Sequence, residues 1–206
     1  VTLATGKKIA GANTQFKITG GSNLNHLQTD GAGNVSWVAP PGQGLAQAQQ
    51  WRVSANFAAT TTVAYVYANW EKPAALQFMG SIGGDMACDS SSSGATSAAW
   101  TFPVTGTWLV KYFWCQNGQG GTSSMYSKIW ATGDSGSAWV EVARTDTCNH
   151  HNNDSYGAIE YLINIDDVST DKVRFSHQCQ TYSATILGNT DITQHYATFL
   201  KLGDAT

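Results

Sequence analysis

The sequence predicts an all-β protein built as a two-sheet antiparallel sandwich. From Thr60 onward, strand-like runs follow one another about every ten to fifteen residues. No stretch shows the spacing of apolar residues that is typical of an amphipathic helix. The chain has 21 Gly, 8 Trp, 8 Tyr and 7 Phe, a composition that suits pleated strands joined by tight turns. With 206 residues, the chain is long enough to bury one substantial core.

The first fifty residues differ from the rest and predict an extended N-terminal arm. Their hydrophobic residues are scattered among Gly, Asn, Thr and Ser, too few to form a core. Ile18–Val38 predicts short strands with a turn at Asp30–Asn34. Pro40–Trp51 predicts a linker or a short helical turn. We therefore divide the chain into an attachment arm, residues 1–50, and a head domain, residues 51–206.

Nine strands are predicted for the head, enough for two packed sheets. They are Thr61–Trp70, Leu76–Ser81, Ser97–Val104, Thr107–Gln116, Ser124–Thr132, Ala138–Asp146, Tyr156–Ile165, Lys172–Cys179 and Thr193–Leu202.

Alternation of side chains predicts which face of a strand is buried. In Lys172–Cys179 the odd-numbered residues, including His177 and Cys179, are expected to face the core. Two other strands, Thr107–Gln116 and Ser124–Thr132, carry large hydrophobic residues on both faces. In an antiparallel sandwich such strands need a second cover, which a neighbouring subunit would supply.

Charge and hydropathy argue against two classes of partner. The formal net charge is -3 and the sequence pI is about 5.9, so there is no basic footprint for nucleic acid or for anionic membranes. The longest apolar run, Trp108–Tyr112 with its neighbours, is interrupted by Lys111 and is too short to span a bilayer. We therefore expect no nucleic-acid partner and no membrane insertion.

Four cysteines are widely spaced along the chain, which argues against a zinc ribbon. They are Cys88, Cys115, Cys148 and Cys179. If they form disulfides, three connectivities are possible. We favour free, mostly buried thiols, because a free cysteine behaves as a small hydrophobic residue.

A pattern of aromatic residues in AWTFPVTGTWLVKYFW, Ala99–Trp114, carries a family resemblance. Five residues separate Trp100 from Gly106, and Trp108, Val110 and Tyr112 follow at alternate positions. This spacing resembles the signature of the globular head of complement component 1q and its tumour necrosis factor relatives.

A second segment supports the same resemblance. YATFLKLGD, Tyr196–Asp204, is similar to the last strand of these heads. The resemblance covers Thr60–Thr206 and implies a jelly roll that assembles as a homotrimer about a three-fold axis. The residues it implies for the core and the trimer are Trp100, Gly106, Trp108, Tyr112 and Phe199.

The arm carries a separate resemblance. LQTDGAGNVSWV, Leu27–Val38, resembles a short element of bacteriophage tail fibres and other virion appendages. Together the two resemblances imply a phage fibre or capsid decoration protein on the exterior surface of the particle. Residues 1–50 would then attach to other virion proteins, and the head would be free to bind host surface glycans.

Gly133–Gly136, with the sequence GDSG, matches the segment around the nucleophile of trypsin-like proteases. Such chemistry needs a His and an Asp in the right places, and the sequence motifs that would supply them are missing. Asp-Ser-Gly is also good turn chemistry between two strands. We therefore interpret the segment as a hairpin turn and predict that the protein is not an enzyme.

One loop, Cys148–Asp154, concentrates groups that bind metals or hydrogen-bond to sugars. The metal candidates are His150, His151 and Asp154, which would favour zinc, copper or nickel. The binding candidates are Asn149, His150, His151, Asn152 and Asn153. A solvated polar loop between two strands is the simpler interpretation, because one segment does not establish converging ligands.

A second acidic segment, Asp166–Asp171, is a candidate for calcium. An Asx-rich turn explains it with fewer assumptions. The sequence therefore predicts no cofactor, with calcium or a transition metal as the alternatives.

The sequence leaves three functions open. The leading hypothesis is a phage structural protein: a trimeric head fibre, a capsid decoration protein or a tail-fibre tip. The second is a secreted or cell-surface adhesin of the complement-head type, which would be extracellular. The third is a carbohydrate-active enzyme. Glycan on the sequons at Asn34 and Asn153 would favour the second.

Overall fold

The computed structural model describes residues 26–29, 32, 34–38, 45–72, 81–89, 98–118, 123–149 and 154–205. The chain divides into two compact units, residues 1–44 and 45–206. In the first unit, β1 (His26–Thr29) pairs antiparallel with β2 (Val35–Val38), and Thr29 lies opposite Val35. The short strands predicted for this segment are confirmed, with the chain reversing between them.

The second unit, the head, is all β in the described residues. Its strands are β3 (Ala48–Val53), β4 (Phe57–Ala59), β5 (Ala64–Tyr65), β6 (Trp70–Glu71), β7 (Ala87–Cys88), β8 (Trp100–Thr101), β9 (Gly106–Gly118), β10 (Ser123–Thr132), β11 (Val140–Asn149), β12 (Asp154–Ile165), β13 (Lys172–Cys179), β14 (Ala184–Ile186) and β15 (Tyr196–Gly203). No helix in the described part of the chain is long and apolar enough to cross a membrane.

These strands form two antiparallel sheets. The first, which we call the β9 sheet, has the order β4-β14-β9-β15-β3-β6, with β12 also paired to β9. Strand β12 runs the length of β9, from Asp154 opposite Asn117 to Ile165 opposite Gly106. The second, the β13 sheet, has the order β11-β10-β13-β8-β7, with β5 also paired to β13. The predicted two-sheet antiparallel sandwich is confirmed.

Aromatic side chains from both sheets fill the core. Trp100 is fully buried and contacts Trp51, Trp70 and Phe199, with ring centroids 5.0 to 5.3 Å apart. Tyr112 also stacks on Phe175 of the other sheet, with centroids 4.3 Å apart. Because each large aromatic ring removes roughly 150–250 Å² from water, these rings dominate the free energy of folding.

Strand alternation places the predicted buried faces correctly. In β13 the inward residues Val173, Phe175, His177 and Cys179 are at most 1% exposed. The strand has the bounds that the sequence predicted. The hairpin interpretation of residues 133–136 is also confirmed, because this segment joins the antiparallel strands β10 and β11.

The single strand predicted for Thr61–Trp70 is wrong. The segment contains only the two-residue strands β5 and the start of β6. Strand β5 pairs with β13 in one sheet, whereas β6 pairs with β3 in the other. Asn69 takes a left-handed conformation, with φ 64°, just before β6. The chain crosses between sheets here, so it cannot remain one strand.

Two other predicted elements also differ, and a third is almost entirely undescribed. Pro40–Trp51 is not a linker or helical turn throughout, because Ala48–Val53 forms β3 and pairs with β15. Of the strand predicted at Ser97–Val104, the described residues 98–104 form only β8, since Ala98 has φ 73° and Pro103 has no N–H to donate to a ladder. The strand predicted at Leu76–Ser81 lies outside the described residues except for Ser81.

Candidate functional site

The face of the β9 sheet that points away from the core is the candidate site. Successive side chains of β9 alternate, so Trp108, Tyr112 and Trp114 are buried between the sheets. Leu109 and Phe113 lie on the opposite face and are half-buried. The sequence predicted this doubly apolar strand, and the structure confirms it.

Strand register arranges the outer face in rows. Leu109 on β9 lies between Leu162 on β12 and Leu200 on β15. Leu162 is 57% exposed, and Leu202 near the end of β15 is 53% exposed. An antiparallel sheet that faces water on one side normally carries polar residues there. This row instead presents leucine.

A second apolar row lies four residues further along β9. Phe113 is opposite Ala158 on one side and Tyr196 on the other. The rings of Phe113 and Tyr196 stack with centroids 5.1 Å apart. Tyr156, which is 62% exposed, extends the same row, with its ring centroid 6.4 Å from that of Phe113.

One ion pair separates the two apolar rows. Lys111 Nζ lies 3.1 Å from Glu160 Oε2 across the β9–β12 ladder. Both side chains are about half exposed, so the pair contributes at most about 1 kcal/mol in water. The two opposite charges neutralise each other between the rows.

Two hollows flank this ion pair. One, of about 300 Å³, is lined mainly by Phe113, Ala158 and Tyr196 together with the pair. The other, of about 500 Å³, is lined by Leu109, Leu162 and Leu202 together with Glu160 and Tyr161. Concave apolar surface of this kind gains free energy when another surface covers it, at about 25 cal/mol per Å² of apolar area.

A buried thiol, that of Cys115, lies beneath this face. Cys115 is buried under Tyr156, and burial, followed by the charge of Asp154, raises the pKa of the Cys115 thiol. A neutral thiol is a poor nucleophile. The arrangement can therefore bury apolar surface.

All four cysteines are free thiols, as the sequence predicted. Cys115 and Cys179 are buried, Cys88 is half-buried and Cys148 is exposed. Burial raises the pKa of the Cys88 thiol to about 12.

The residues implied by the aromatic signature lie in the core between the sheets. Trp100, Trp108, Tyr112 and Phe199 are at most 1% exposed. Gly106 begins β9 with φ 147° and is also buried. The two apolar rows of the outer face, in contrast, lie at the alternate positions of β9 and β15, which point away from the core.

The candidate loop between β11 and β12 is only partly described. His150, His151, Asn152 and Asn153 lie outside the described residues, and Asn149 is described only as the last residue of β11. Asp154 begins β12, is exposed, and accepts a hydrogen bond from Asn117 Nδ2 at 2.9 Å. Among the described residues, no group of three His, Cys, Asp or Glu is placed to hold a metal ion.

The acidic segment at Asp166–Asp171 is an Asx turn. Asp171 Oδ2 accepts hydrogen bonds from the backbone N–H groups of Asp166 and Asp167. Asp167 Oδ1 accepts from both the N–H and the hydroxyl of Ser169, and these bonds lower the pKa of the Asp167 carboxyl. Its carboxylates are therefore used within the turn, as the simpler interpretation predicted.

The GDSG segment is held in a similar way. Asp134 Oδ1 accepts a hydrogen bond from Ala138 N at 2.9 Å, and this bond is the main cause of the lowered pKa of Asp134. The Ser135 hydroxyl donates to the backbone oxygen of Ser169. These side chains therefore stabilise the turn through hydrogen bonds to the backbone.

Sequence reasoning missed two features of the head. It did not single out the exposed Leu162 and Tyr156 of β12, although alternation from Glu160 would have located them. It also placed His177 in the core without its partner His195, because residues far apart in sequence carry no local signal of contact.

Comparison with solved structures identifies the fold. The structure of the tumour necrosis factor Eiger from S. frugiperda aligns with a TM-score of 0.56 and 9% identity, over 77% of this chain and 94% of that chain. Murine APRIL at pH 5.0 aligns with a TM-score of 0.48 and 13% identity, over 76% and 98%. The fold assignment does not depend on this second likeness.

No protein-family model matches the sequence, and no curated protein is significantly similar to it. The head is therefore assigned by structure: it is an all-β jelly roll. More particularly, it has the jelly-roll fold of the tumour necrosis factor proteins. At 9% identity the likeness shows the fold alone.

Proposed function

We propose that the protein is a non-enzymatic binding head that works as a homotrimer, with the outer face of β12, β9 and β15 buried between copies. The observation that carries this proposal is the pair of apolar rows on an otherwise open sheet face. Charged residues are only 12% of the chain, so little of its surface repels a second copy. We therefore favour another copy of this chain as the partner that covers this face.

Three copies are favoured by the resemblance of the aromatic pattern to complement-type heads and by the tumour necrosis factor fold. A cyclic trimer has heterologous contacts, so the leucine row of one copy meets a different surface of the next. The two hollows beside Glu160 suit this arrangement because they can accept side chains projecting from that surface.

The proposed role of this trimer is structural, on the exterior of a bacteriophage particle. The likeness of Leu27–Val38 to elements of virion appendages supports a head fibre, a capsid decoration protein or a tail-fibre tip. Residues 1–50 would bind other virion proteins, and the head would bind host surface glycans. The second candidate, an extracellular adhesin of the complement-head type, is favoured by the tumour necrosis factor fold alone.

Self-association is tested by the mass of the full chain in solution. Light scattering during gel filtration at micromolar concentration is expected to give three times the chain mass of 22.0 kDa. Leu162→Glu is expected to give monomers, because it places a charge in the apolar row. Val140→Glu on β11 is the matched control, since Val140 is 63% exposed but lies on the other sheet. A monomeric wild type would contradict the proposal.

The virion role requires a separate test. Gold-labelled antibody against the head is expected to decorate the outside of phage particles from the source culture. Intact mass of the native protein distinguishes the alternative: glycan at Asn34 or Asn153 would contradict a phage origin and favour the adhesin. Hydrolysis of a polysaccharide panel, abolished by a single carboxylate substitution, would contradict the non-enzymatic assignment.

A further inference from the structure

A chain of hydrogen bonds crosses the core from one sheet to the other. The hydroxyl of Tyr112, on β9, lies 2.6 Å from Nε2 of His177, on β13, and 2.6 Å from Nε2 of His195, just before β15. Nδ1 of His177 lies 2.8 Å from the hydroxyl of Ser127, on β10. Tyr112, Ser127, His177 and His195 all have no exposed surface.

Aromatic side chains surround this chain of hydrogen bonds. Phe57 on β4 packs within 5.7 Å of both imidazoles, measured between ring centroids. Trp70 on β6 contacts His195 at 5.8 Å, and Trp114 on β9 contacts His177 at 5.6 Å. Of the described side chains that contact either imidazole, the titratable ones are Tyr112 and the other histidine, and none is a carboxylate.

Counting the available protons shows which group donates in each of these hydrogen bonds. Tyr112 has one hydroxyl proton and can donate it to only one of the two imidazoles. Nδ1 of His195 is buried and lacks a hydrogen-bond partner in the described structure, so it is best left without a proton. His195 Nε2–H then donates to Tyr112, Tyr112 donates to His177 Nε2, and His177 Nδ1–H donates to Ser127. Both imidazole N–H groups and the Tyr112 hydroxyl then have acceptors, and both histidines are neutral.

We propose that this chain of hydrogen bonds is an acid-sensitive tie between the two sheets, which stabilises the closed head fully near neutral pH and less in mild acid. A proton added to His177 would go to Nε2, so that two donors would face each other across the bond with Tyr112. A proton added to His195 would go to Nδ1, which has no acceptor, and would place a charge among aromatic rings. Either event breaks the tie, whatever the oligomeric state of the head.

Linkage gives the direction and the pH window. Burial lowers the pKa of His177 from 6.5 to about 3, and burial, followed by the neighbouring His177, lowers the pKa of His195 well below 6.5. Because both folded-state values are depressed, the stabilisation is complete above pH 6.5 and decreases as the pH falls below it. Carboxyl groups ordinarily titrate near pH 4, so the interval from pH 7.5 to 5.5 isolates the imidazoles.

Urea unfolding of the full chain at fixed protein concentration tests the tie. Between pH 7.5 and 5.5 the unfolding equilibrium constant per protomer is expected to rise roughly tenfold for each imidazole, or about a hundredfold in all. His195→Gln keeps a donor toward Tyr112 and is expected to reduce the rise to about tenfold. The double variant His150→Gln, His151→Gln is the control and should retain the wild-type rise. A wild-type rise below about threefold, or an unchanged rise in His195→Gln, would overturn the proposal.

Imidazole NMR of the wild type tests the same proposal without a variant. Nitrogen shifts at pH 5.5 are expected to show His177 protonated at Nδ1 and His195 protonated at Nε2, both neutral. A core histidine that titrates in the folded state with a midpoint near pH 6.5 would overturn the proposal, even if His195→Gln fails to fold.

Discussion

The indole of Trp114 occupies the space in which a Cβ on Gly157 would stand. The two residues lie directly opposite each other on β9 and β12. Thr147 closes the same space from β11, with its methyl group 2.8 Å from the position of that Cβ. Trp114 has no exposed surface, so its ring has little room to move. Glycine at this position lets a fully buried tryptophan pack against the edge strand of its own sheet.

Gly157→Ala is therefore expected to lower the free energy of unfolding by about 1–3 kcal/mol, because the added methyl overpacks the site. Urea denaturation at fixed protein concentration measures the change. Gly203→Ala is the matched control, since a Cβ there meets nothing within 4 Å. Its expected change is within about 0.5 kcal/mol. Equal urea midpoints for the two variants would mean that the Trp114 side chain can move to accommodate the added methyl group.

Gly106→Val tests the turn that precedes β9. Gly106 has φ 147°, and a Cβ there would meet the side chain of Lys201 and lie 2.6 Å from the backbone oxygen of Gly203. Backbone strain and the clash together are expected to cost about 2–4 kcal/mol. Thermal unfolding measures the loss. Gly133→Ala is a mild control, because its nearest neighbour would be 3.6 Å away. Unchanged stability of Gly106→Val would show that this turn tolerates a branched side chain.

Arg174→Lys tests a cation stacked between aromatic rings on the outer face of β13. The guanidinium of Arg174 lies 3.8 Å from the ring centroid of Tyr65 and 4.1 Å from that of Trp139. Only a planar cation stacks on both rings, so lysine is expected to lower stability by about 1–2 kcal/mol. Arg144→Lys is the control, because Arg144 is 51% exposed and lies 5.3 Å from Tyr126. A loss as small as that of the control would contradict the stacking argument.

Thiol reactivity should separate the four cysteines. Cys148 is exposed and is expected to react quickly with an aromatic disulfide reagent near neutral pH. The other three should react slowly, because burial raises the pKa of each thiol and removes its thiolate at that pH. One fast equivalent in the native protein and four in urea are expected. Cys148→Ser should abolish the fast equivalent, and its persistence would contradict the assignment.

The strands that the sequence predicted well are those with a regular environment on each face. In β13 the core residues Val173, Phe175 and His177 alternate with polar ones, so the core face follows from the local pattern, although Arg174 and Ser176 on the outer face are buried as well. The apolar residues on both faces of β9 were also predicted correctly. The pattern of residues such as Trp108 and Leu109 therefore predicted both the core face and the candidate face of β9.

Elements defined by distant contacts were not predictable in the same way. Strands β4 and β14 are three residues each and exist because they pair with each other and with β9. The contact between Tyr112 and His195 spans 83 residues. The crossing at Asn69 depends on which sheet each neighbouring strand joins. None of these leaves a periodic trace in a single sequence.

The pairing of β3 with β15 has a consequence for how the protein is made. Gln50 donates a hydrogen bond to Thr198 over a separation of 148 residues. Strand β3 is synthesised early, but its partner emerges from the ribosome only after nearly all of the head. The first strand of the head therefore waits without its neighbour while the rest of the chain is translated, and closing the sandwich is a late, non-local step. Chains interrupted before β15 would leave an open sheet edge, ready to pair with another chain.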